Sequence, residues 1–174
     1  VKVIPVTSKI EDNFALPSIE LFEKKINNRT KAILICNPCN PTGYVYSKEE
    51  IINIANLAKK NDLFIIVDEV YREFIYSDLK HFSILEDETF FDNAILIDST
   101  SKRYSLCGAR IGFIVSKNSK FIETCMKFAL ARLSPPTVAL IAANNALKSD
   151  NKYIDNVIKE YSMRRKVLIG ELSK

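Results

Sequence analysis

The segment STSKRYSLCGARIG, residues 99–112, combines an amine, a guanidinium and several hydroxyls in one short stretch. A lysine amine condenses with carbonyl groups once burial or neighbouring cations make it nucleophilic. Ser99, Ser101 and Arg110 offer hydroxyls and a planar fork of donors, which suit the oxygens of a phosphate. An amine beside such a phosphate cradle favours pyridoxal phosphate as the ligand, with Lys102 as its covalent partner. The competing interpretation of Lys102 is one more solvated lysine.

Two further segments carry side chains that such a ligand needs. Asp68 opens the segment DEVY, and a carboxylate there can keep the pyridine nitrogen of the cofactor protonated. Tyr71 ends the same segment, and together with Asn40 of NPCNPTG it can hydrogen-bond the phenolic oxygen of the cofactor. Taken singly, Asp68 is equally typical of a helix N-cap, Tyr71 of a packed aromatic and Asn40 of a turn. We interpret Glu69 as structural.

These side chains follow three short apolar runs, which predict buried parallel strands at residues 32–36, 63–67 and 94–97. Between the first two runs, Ser47 and Glu50 have the spacing of a capping box, which predicts the start of an amphipathic helix. Strand, helix and strand at this spacing form a βαβ unit. Because ligands of such sheets bind beyond the carboxyl ends of the strands, we expect the three segments to converge on one crevice.

The remaining pattern completes an α/β fold: a mainly parallel, mixed open sheet with helices on both faces. Residues 1–6 predict an edge strand, residues 18–26 a helix, and residues 111–115 a further strand. A polar loop is expected after residue 97. From residue 119 onward the periodicity becomes helical, with Pro135 and Pro136 as a break. The predicted helices span residues 121–133, 138–147 and 153–172.

Composition excludes several classes of function. The 174 residues carry a formal net charge of +4, and the lysines alternate with acidic residues instead of forming a basic patch, so we expect no nucleic-acid partner. No apolar run approaches the length of a membrane span, and residues 1–6 are too short for a signal peptide. We therefore expect a cytoplasmic protein with reduced thiols and no membrane partner.

The two cysteines of ICNPCNPTG have a C-x-x-C spacing, which suggests a redox pair or half of a metal site. No second C-x-x-C follows, and His81 is the only histidine, so a metal shell cannot be completed. We interpret Cys36 and Cys39 as incidental and expect no metal. Cys107 and Cys125 are interpreted as small packed hydrophobes, and His81 as a loop residue.

Three motifs in one order carry a family resemblance: Asn-Pro-x-Asn-Pro-Thr-Gly at residues 37–43, Asp-Glu-Val-Tyr at 68–71, and Ser-x-Ser-Lys with Gly-x-Arg-x-Gly at 99–112. They resemble the class I/II, fold-type I pyridoxal-phosphate aminotransferases, and among these the aspartate-aminotransferase-like branch. The resemblance implies an internal aldimine on Lys102, which also shuttles a proton between the substrate α-carbon and C4′ of the cofactor. It further implies a set of cofactor contacts: Asp68 with the pyridine nitrogen, Asn40 and Tyr71 with the phenolic oxygen, and Ser99, Ser101 and Arg110 with the phosphate.

The implied reaction moves an amino group from an L-amino acid, aspartate-like or similar, to a 2-oxo acid. Residues 1–174 correspond to the cofactor-binding large domain in the middle of a family member roughly twice as long, with the small domain largely absent. The resemblance also implies a homodimer and an arginine for the substrate carboxylate outside this chain. We therefore expect weak or no transamination from these residues alone.

Two other outcomes stay open on the sequence. The same scaffold and cofactor serve β- and γ-lyases and synthases, and an aminotransferase-like domain without catalysis senses the cofactor in some transcription regulators. The charge pattern disfavours the regulator. The residues do not identify the amino acid or the oxo acid.

Overall fold

The computed structural model describes residues 1–149 and 152–174. Its centre is a single four-stranded sheet in the spatial order β1-β2-β3-β4. The first three strands are parallel and the last runs antiparallel to its neighbour. This confirms the predicted open, mainly parallel sheet. The strands are β1 Ala32–Cys36, β2 Phe64–Asp68, β3 Ala94–Ser99 and β4 Gly112–Val115.

Helices connect and flank these strands. Most lie within a few residues of the predicted bounds, but the first is shorter, and the polar loop expected after residue 97 is instead the end of β3 and one helical turn. The α-helices are α1 Ile19–Glu23, α2 Lys48–Lys60, α3 Thr100–Arg103, α4 Ser119–Arg132, α5 Thr137–Leu147 and α6 Lys152–Leu172. Short 3-10 turns cover residues 10–12, 84–86, 88–90 and 107–109.

The crossover helix α2 begins at the predicted capping box. Ser47 Oγ accepts the Glu50 N–H at 3.2 Å, and Glu50 Oε2 accepts the Ser47 N–H at 2.7 Å. Two N–H groups that the helix itself cannot satisfy thereby find acceptors. This end of α2 is therefore fixed by local sequence.

The Ser47→Ala substitution should lower the free energy of unfolding by about 1 kcal/mol, because it leaves the Glu50 N–H without its acceptor. Chemical denaturation measures the change. The matched control is Ser119→Ala, since Ser119 stands inside the first turn of α4, whose cap is Asn118. An equal loss in both variants would contradict a specific capping role for Ser47.

The core lies between α2 and one face of the sheet. Ile51, Ile54 and Ala55 of α2 are fully buried, as are Ile65 and Val67 of β2. Burial of this apolar area, at roughly 25 cal/mol per Å², is the main stabilising contribution. On the opposite face the Phe64 ring meets Phe121 of α4 at 5.5 Å, whereas Leu34 of β1 stays 66% exposed.

Two further sequence predictions are wrong in the structure. Residues 1–6 form no strand: Val1, Val3 and Ile4 are exposed, and Pro5 has no N–H to donate to a ladder. Without burial or pairing, nothing offsets the entropy lost by ordering a strand. Cys107 is exposed and not packed, because it lies on a surface 3-10 turn.

No helix among residues 1–149 and 152–174 is long and apolar enough to cross a membrane.

Candidate active site

The carboxyl ends of β1 and β3, with the segment that follows β2, open onto one cleft of about 980 Å³. Four of the predicted site residues lie in its lining: Asn40, Tyr71, Ser101 and Lys102. Parallel pairing of β1, β2 and β3 brings these segments to the same edge of the sheet. The convergence expected from the strand order is therefore present.

Asn40, Tyr71 and Lys102 form the most compact group in the cleft. The Asn40 amide Nδ2 donates to the Tyr71 hydroxyl at 3.2 Å, and Lys102 Nζ lies 5.4 Å from the centroid of the Tyr71 ring. The lysine ammonium therefore lies within cation–π distance of the ring. A phenol, an amide and an amine thus face the same space from three strand ends.

The loop that presents Asn40 is closed by its own backbone. The Gly43 N–H donates to the Cys39 carbonyl at 2.8 Å, and the Cys39 N–H donates to the Tyr44 carbonyl at 2.9 Å. Gly43 has φ 72°, a left-handed conformation that glycine adopts without steric cost. The loop therefore turns tightly and leaves Asn40 exposed in the lining of the cleft.

Asp68 is the last residue of β2 and pairs in register with Cys36 of β1. Its Oδ1 accepts the Val70 N–H at 3.2 Å, a local turn that fixes the carboxylate. Among the described residues no other group hydrogen-bonds this side chain. Asp68 is half-buried and does not itself line the cleft.

The three predicted phosphate ligands are less closely assembled. Ser99 Oγ accepts the Ser101 N–H at 2.8 Å and thereby caps α3. Arg110 has φ 58° and donates from Nη1 to the Cys107 carbonyl at 2.9 Å. Pairing of Ser99 with Gly112 brings Arg110 to the same end of the sheet, but within the described chain no hydrogen bond joins its guanidinium to either hydroxyl.

Tyr161 and Arg165 of α6 also line the cleft; the sequence analysis predicted this helix but not its contribution to the site. Tyr161 of α6 packs edge-on against Phe74 at 6.1 Å, and Phe74 packs against Tyr71 at 6.3 Å. Arg165 lies one turn further along α6. The cleft therefore has aromatic walls on one side and hydrogen-bonding groups on the other.

The cysteines of the C-x-x-C motif are free thiols. Burial raises the pKa of the Cys36 thiol, and its Sγ lies 3.2 Å from the Pro38 carbonyl oxygen, to which it donates. Such a thiol is a poor nucleophile because little of it is thiolate near neutral pH. Within the described residues no three His, Cys, Asp or Glu side chains are grouped to hold a metal.

A buried polar network beneath the cleft was missed by the sequence analysis. Glu69 is 0% exposed and accepts three hydrogen bonds, from Ser83 Oγ at 3.0 Å, the Ile84 N–H at 3.1 Å and His81 Nε2 at 3.0 Å. The burial of Glu69 could have been predicted from the alternation of side chains along a strand, because residue 69 is two positions after Val67 and four after Ile65, which face the core. The network ties the loop at residues 81–84 to the end of β2.

The buried amide of Asn37 extends this network and sets the tautomer of His81. Asn37 Oδ1 accepts the Tyr46 N–H at 3.0 Å, so its Nδ2 faces His81 Nδ1 at 3.5 Å. Nδ1 must then be the acceptor, and Nε2 carries the proton that it donates to Glu69. His81 therefore links Asn37, which follows β1, to Glu69, which follows β2.

Comparison with known proteins identifies relatives over nearly the whole chain. The family model for aminotransferase class I and II matches residues 1–174. The aspartate aminotransferase of Pyrococcus abyssi is 36% identical over 176 residues, which cover 99% of this chain and 45% of that protein. The aspartate aminotransferase of Thermotoga maritima is 37% identical over 160 residues, covering 91% of this chain and 41% of that protein.

Solved structures agree with the sequence relatives. A crystal structure of an aromatic aminotransferase from Pyrococcus horikoshii superposes with a TM-score of 0.87 at 36% identity, over 95% of this chain and 44% of that one. The Thermotoga maritima aspartate aminotransferase structure gives 0.86 at 33% identity, over 98% and 44%. The chain thus spans a little less than half the length of these relatives, and it belongs to the aminotransferase class I and II family.

Proposed function

We propose that the whole protein is a pyridoxal 5′-phosphate-dependent aminotransferase that moves an amino group from an L-amino acid to a 2-oxo acid. Residues 1–174 form its cofactor-binding large domain in this proposal. Membership of the family supports the reaction class. The single observation that carries the proposal is the convergence of Lys102, Tyr71 and Asn40 on one cleft at the strand ends.

The cleft suits the cofactor in size and charge. Its volume of about 980 Å³ lies at the upper end of ordinary ligand sites and leaves space for a second molecule beside a pyridine ring. Its described lining includes Lys102 and Arg165 but no carboxylate side chain. A phosphate and a substrate carboxylate would therefore meet attraction and no repulsion there.

Each site residue has a defined task in this proposal. When bound, pyridoxal phosphate supplies an electron sink for the pair released at the substrate α-carbon. Lys102 would hold the cofactor covalently until the substrate amine displaces its Nζ. The freed amine would then move a proton from the substrate α-carbon to C4′ of the cofactor in one half of the reaction and in the reverse direction in the other. Tyr71 and Asn40 hydrogen-bond the phenolic oxygen, and the Asp68 carboxylate keeps a proton on the pyridine nitrogen.

Ser99, Ser101 and Arg110 are the proposed phosphate ligands. Ser101 already lines the cleft, whereas Arg110 would have to exchange its bond with the Cys107 carbonyl for bonds with phosphate oxygens. A guanidinium favours that exchange because bonds to an anion are stronger than bonds to a neutral carbonyl.

Adding pyridoxal phosphate to the whole protein tests the proposed function. We expect a visible absorption band from the protein-bound cofactor, loss of that band on addition of an amino donor, and recovery on addition of a 2-oxo acid. Aspartate and tyrosine are suitable first donors, because the relatives are named for aspartate and for aromatic amino acids. A band that forms but does not respond to any amino acid would overturn transamination.

The Tyr71→Phe variant should move the pH midpoint of this absorption band upward by about one unit, the size of one hydrogen bond to a charged group. The Tyr71 hydroxyl and the proton on the Lys102 nitrogen both hydrogen-bond the phenolic oxygen of the cofactor. Without the hydroxyl, the phenolic oxygen holds the proton on the Lys102 nitrogen more strongly, so this proton is lost only at higher pH. A spectrophotometric pH titration measures the midpoint. The matched control is Tyr153→Phe, which removes a hydroxyl that bonds Ser105 Oγ at 2.8 Å and no proposed cofactor ligand.

We also propose that the whole protein is a cytoplasmic homodimer acting on aspartate-like or similar amino acids. Apolar side chains of α4, including Phe128 and Leu130, are exposed. This exposure supports the packing of another protein segment or subunit against α4. Light scattering of the whole protein measures the oligomeric state, and a monomer at micromolar concentration would contradict the dimer.

A further inference from the structure

Behind the cleft lies a compact set of charged side chains, Arg72, Glu73, Asp98 and Arg103, here called the charge cluster. Arg72 Nη2 contacts Asp98 Oδ2 at 2.8 Å, and Arg72 Nε contacts Glu73 Oε1 at 3.1 Å. Arg103 Nη2 contacts the same Glu73 oxygen. The side chains are only 15 to 25% exposed. Two cations and two anions thus form one continuous, largely desolvated network.

The charge cluster joins three segments at the ends of two neighbouring strands, β2 and β3. Arg72 and Glu73 follow β2, Asp98 lies near the end of β3, and Arg103 ends α3. Each of these segments also carries a proposed cofactor residue next to a cluster member. Tyr71 precedes Arg72, Ser99 follows Asp98, and Lys102 precedes Arg103. The contacts of the cluster therefore constrain the backbone at the three positions that the cofactor would touch.

Strand pairing alone does not supply this constraint. The parallel register of β2 and β3 ends at the pair Asp68 and Ile97, so Tyr71 and Lys102 both lie beyond the last paired residues. The bridge from Arg72 to Asp98 and the contact from Arg103 to Glu73 continue the connection past that point. Lys102, which precedes Arg103, has its Nζ 5.4 Å from the centroid of the Tyr71 ring.

The energetics favour a geometric role over a stabilising one. Burial raises the pKa of Asp98 while Arg72 acts in the opposite direction, and burial lowers the pKa of Arg103. The Arg103 Nε atom is buried and has no hydrogen-bond partner among the described residues. Apolar side chains of the same volume would stabilise such a site equally well or better, but they would not specify one arrangement through directed contacts.

We propose that Arg72, Glu73, Asp98 and Arg103 are positioning residues that hold the Lys102 amine against the Tyr71 ring for condensation with the aldehyde of pyridoxal phosphate. In that step a carbon–nitrogen double bond forms and the aldehyde oxygen leaves as water. The inference rests on the proposed function. Glu73 is its central member, because a single carboxylate oxygen joins both arginines. Its neutralisation removes the charge that strengthens both contacts, and so loosens the α3 segment from the β2 segment without touching a proposed cofactor ligand.

The test measures covalent capture of the cofactor at Lys102, independently of turnover. The whole protein is mixed with pyridoxal phosphate and reduced with borohydride at timed intervals, and peptide mass mapping then gives the labelled fraction of Lys102. For Glu73→Gln we expect labelling to slow about tenfold, because the amine is no longer held in one orientation. Labelling of the exposed lysines should not change. The matched control is Glu23→Gln, which breaks the exposed pair with Lys60.

The conservative variant Arg72→Lys keeps the charge but loses the two-sided fork, so it should fall between wild type and Glu73→Gln. Unchanged labelling in Glu73→Gln, with circular dichroism equal to wild type, would overturn the positioning role. Absence of Lys102 labelling in the wild type would instead overturn the proposed function. If Glu73→Gln does not fold, Arg72→Lys takes its place. If neither folds, the charge cluster is a requirement of folding and the proposal fails.

Discussion

Replacing Lys102 with alanine is expected to abolish the absorption band of protein-bound pyridoxal phosphate and to lower transamination by about 10⁴-fold or more. The amine has two proposed tasks, covalent attachment of the cofactor and proton transfer at the α-carbon, and alanine performs neither. Lys102 is the only lysine in the described lining of the cleft, so no neighbouring amine replaces it. Absorption spectroscopy and a coupled assay measure the two effects separately.

The control for this prediction is Lys120→Ala, which removes an exposed amine from the first turn of α4. It should leave both the band and the turnover as in wild type. If Lys102→Ala retained a band of equal intensity, the covalent role of Lys102 would be wrong. Added methylamine should restore part of the turnover in Lys102→Ala, because a small amine can occupy the space vacated by the side chain and transfer the proton.

Replacing Glu69 with alanine is expected to lower the free energy of unfolding by about 3–5 kcal/mol. The substitution leaves three donors without their acceptor: the buried N–H of Ile84 and the part-buried side chains of His81 and Ser83. Each such donor costs about 1–3 kcal/mol when it is desolvated and unpaired. For a chain of this length the loss corresponds to a fall in Tm of roughly 10 °C.

Thermal and chemical denaturation measure the effect of Glu69→Ala, with Glu123→Ala as the matched control on the exposed surface of α4. The control should change the free energy of unfolding by less than about 0.5 kcal/mol. Equal Tm values for the two variants would show that the network around Glu69 contributes nothing to stability. Glu69→Gln separates charge from shape, since glutamine keeps one acceptor oxygen and should cost less than alanine.

Local sequence signals predicted the parts of the fold that local interactions determine. The apolar, β-branched run at residues 32–36 predicted β1 with its observed bounds, and Ser47 with Glu50 predicted the start of α2. In both cases the favourable contacts are made within a few residues or repeat with a fixed period. The βαβ pattern, with ligands expected beyond the carboxyl ends of parallel strands, then predicted that residues 40, 71 and 102 come together.

Long-range contacts account for what the sequence analysis missed. His81 lies in a loop as predicted, but its contacts with Asn37 and Glu69 were missed because these partners are 44 and 12 positions away in the sequence. Arg103 lies beside Lys102 in sequence, yet its contact with Glu73 depends on how two strand ends meet. Residues 1–6 show the opposite error, since an apolar composition alone does not form a strand when no neighbouring strand pairs with it.

The exposed Leu34 of β1 has a consequence for handling the protein. β1 is an outer strand of the sheet, so one side of its backbone has no strand partner within the described residues. An apolar outer strand of this kind can add to the equivalent strand of another molecule and so begin ordered aggregation. When residues 1–174 are produced without another protein segment covering β1, we expect aggregation through this strand to limit the protein concentration that can be reached. This limit should appear under conditions in which the core is still folded.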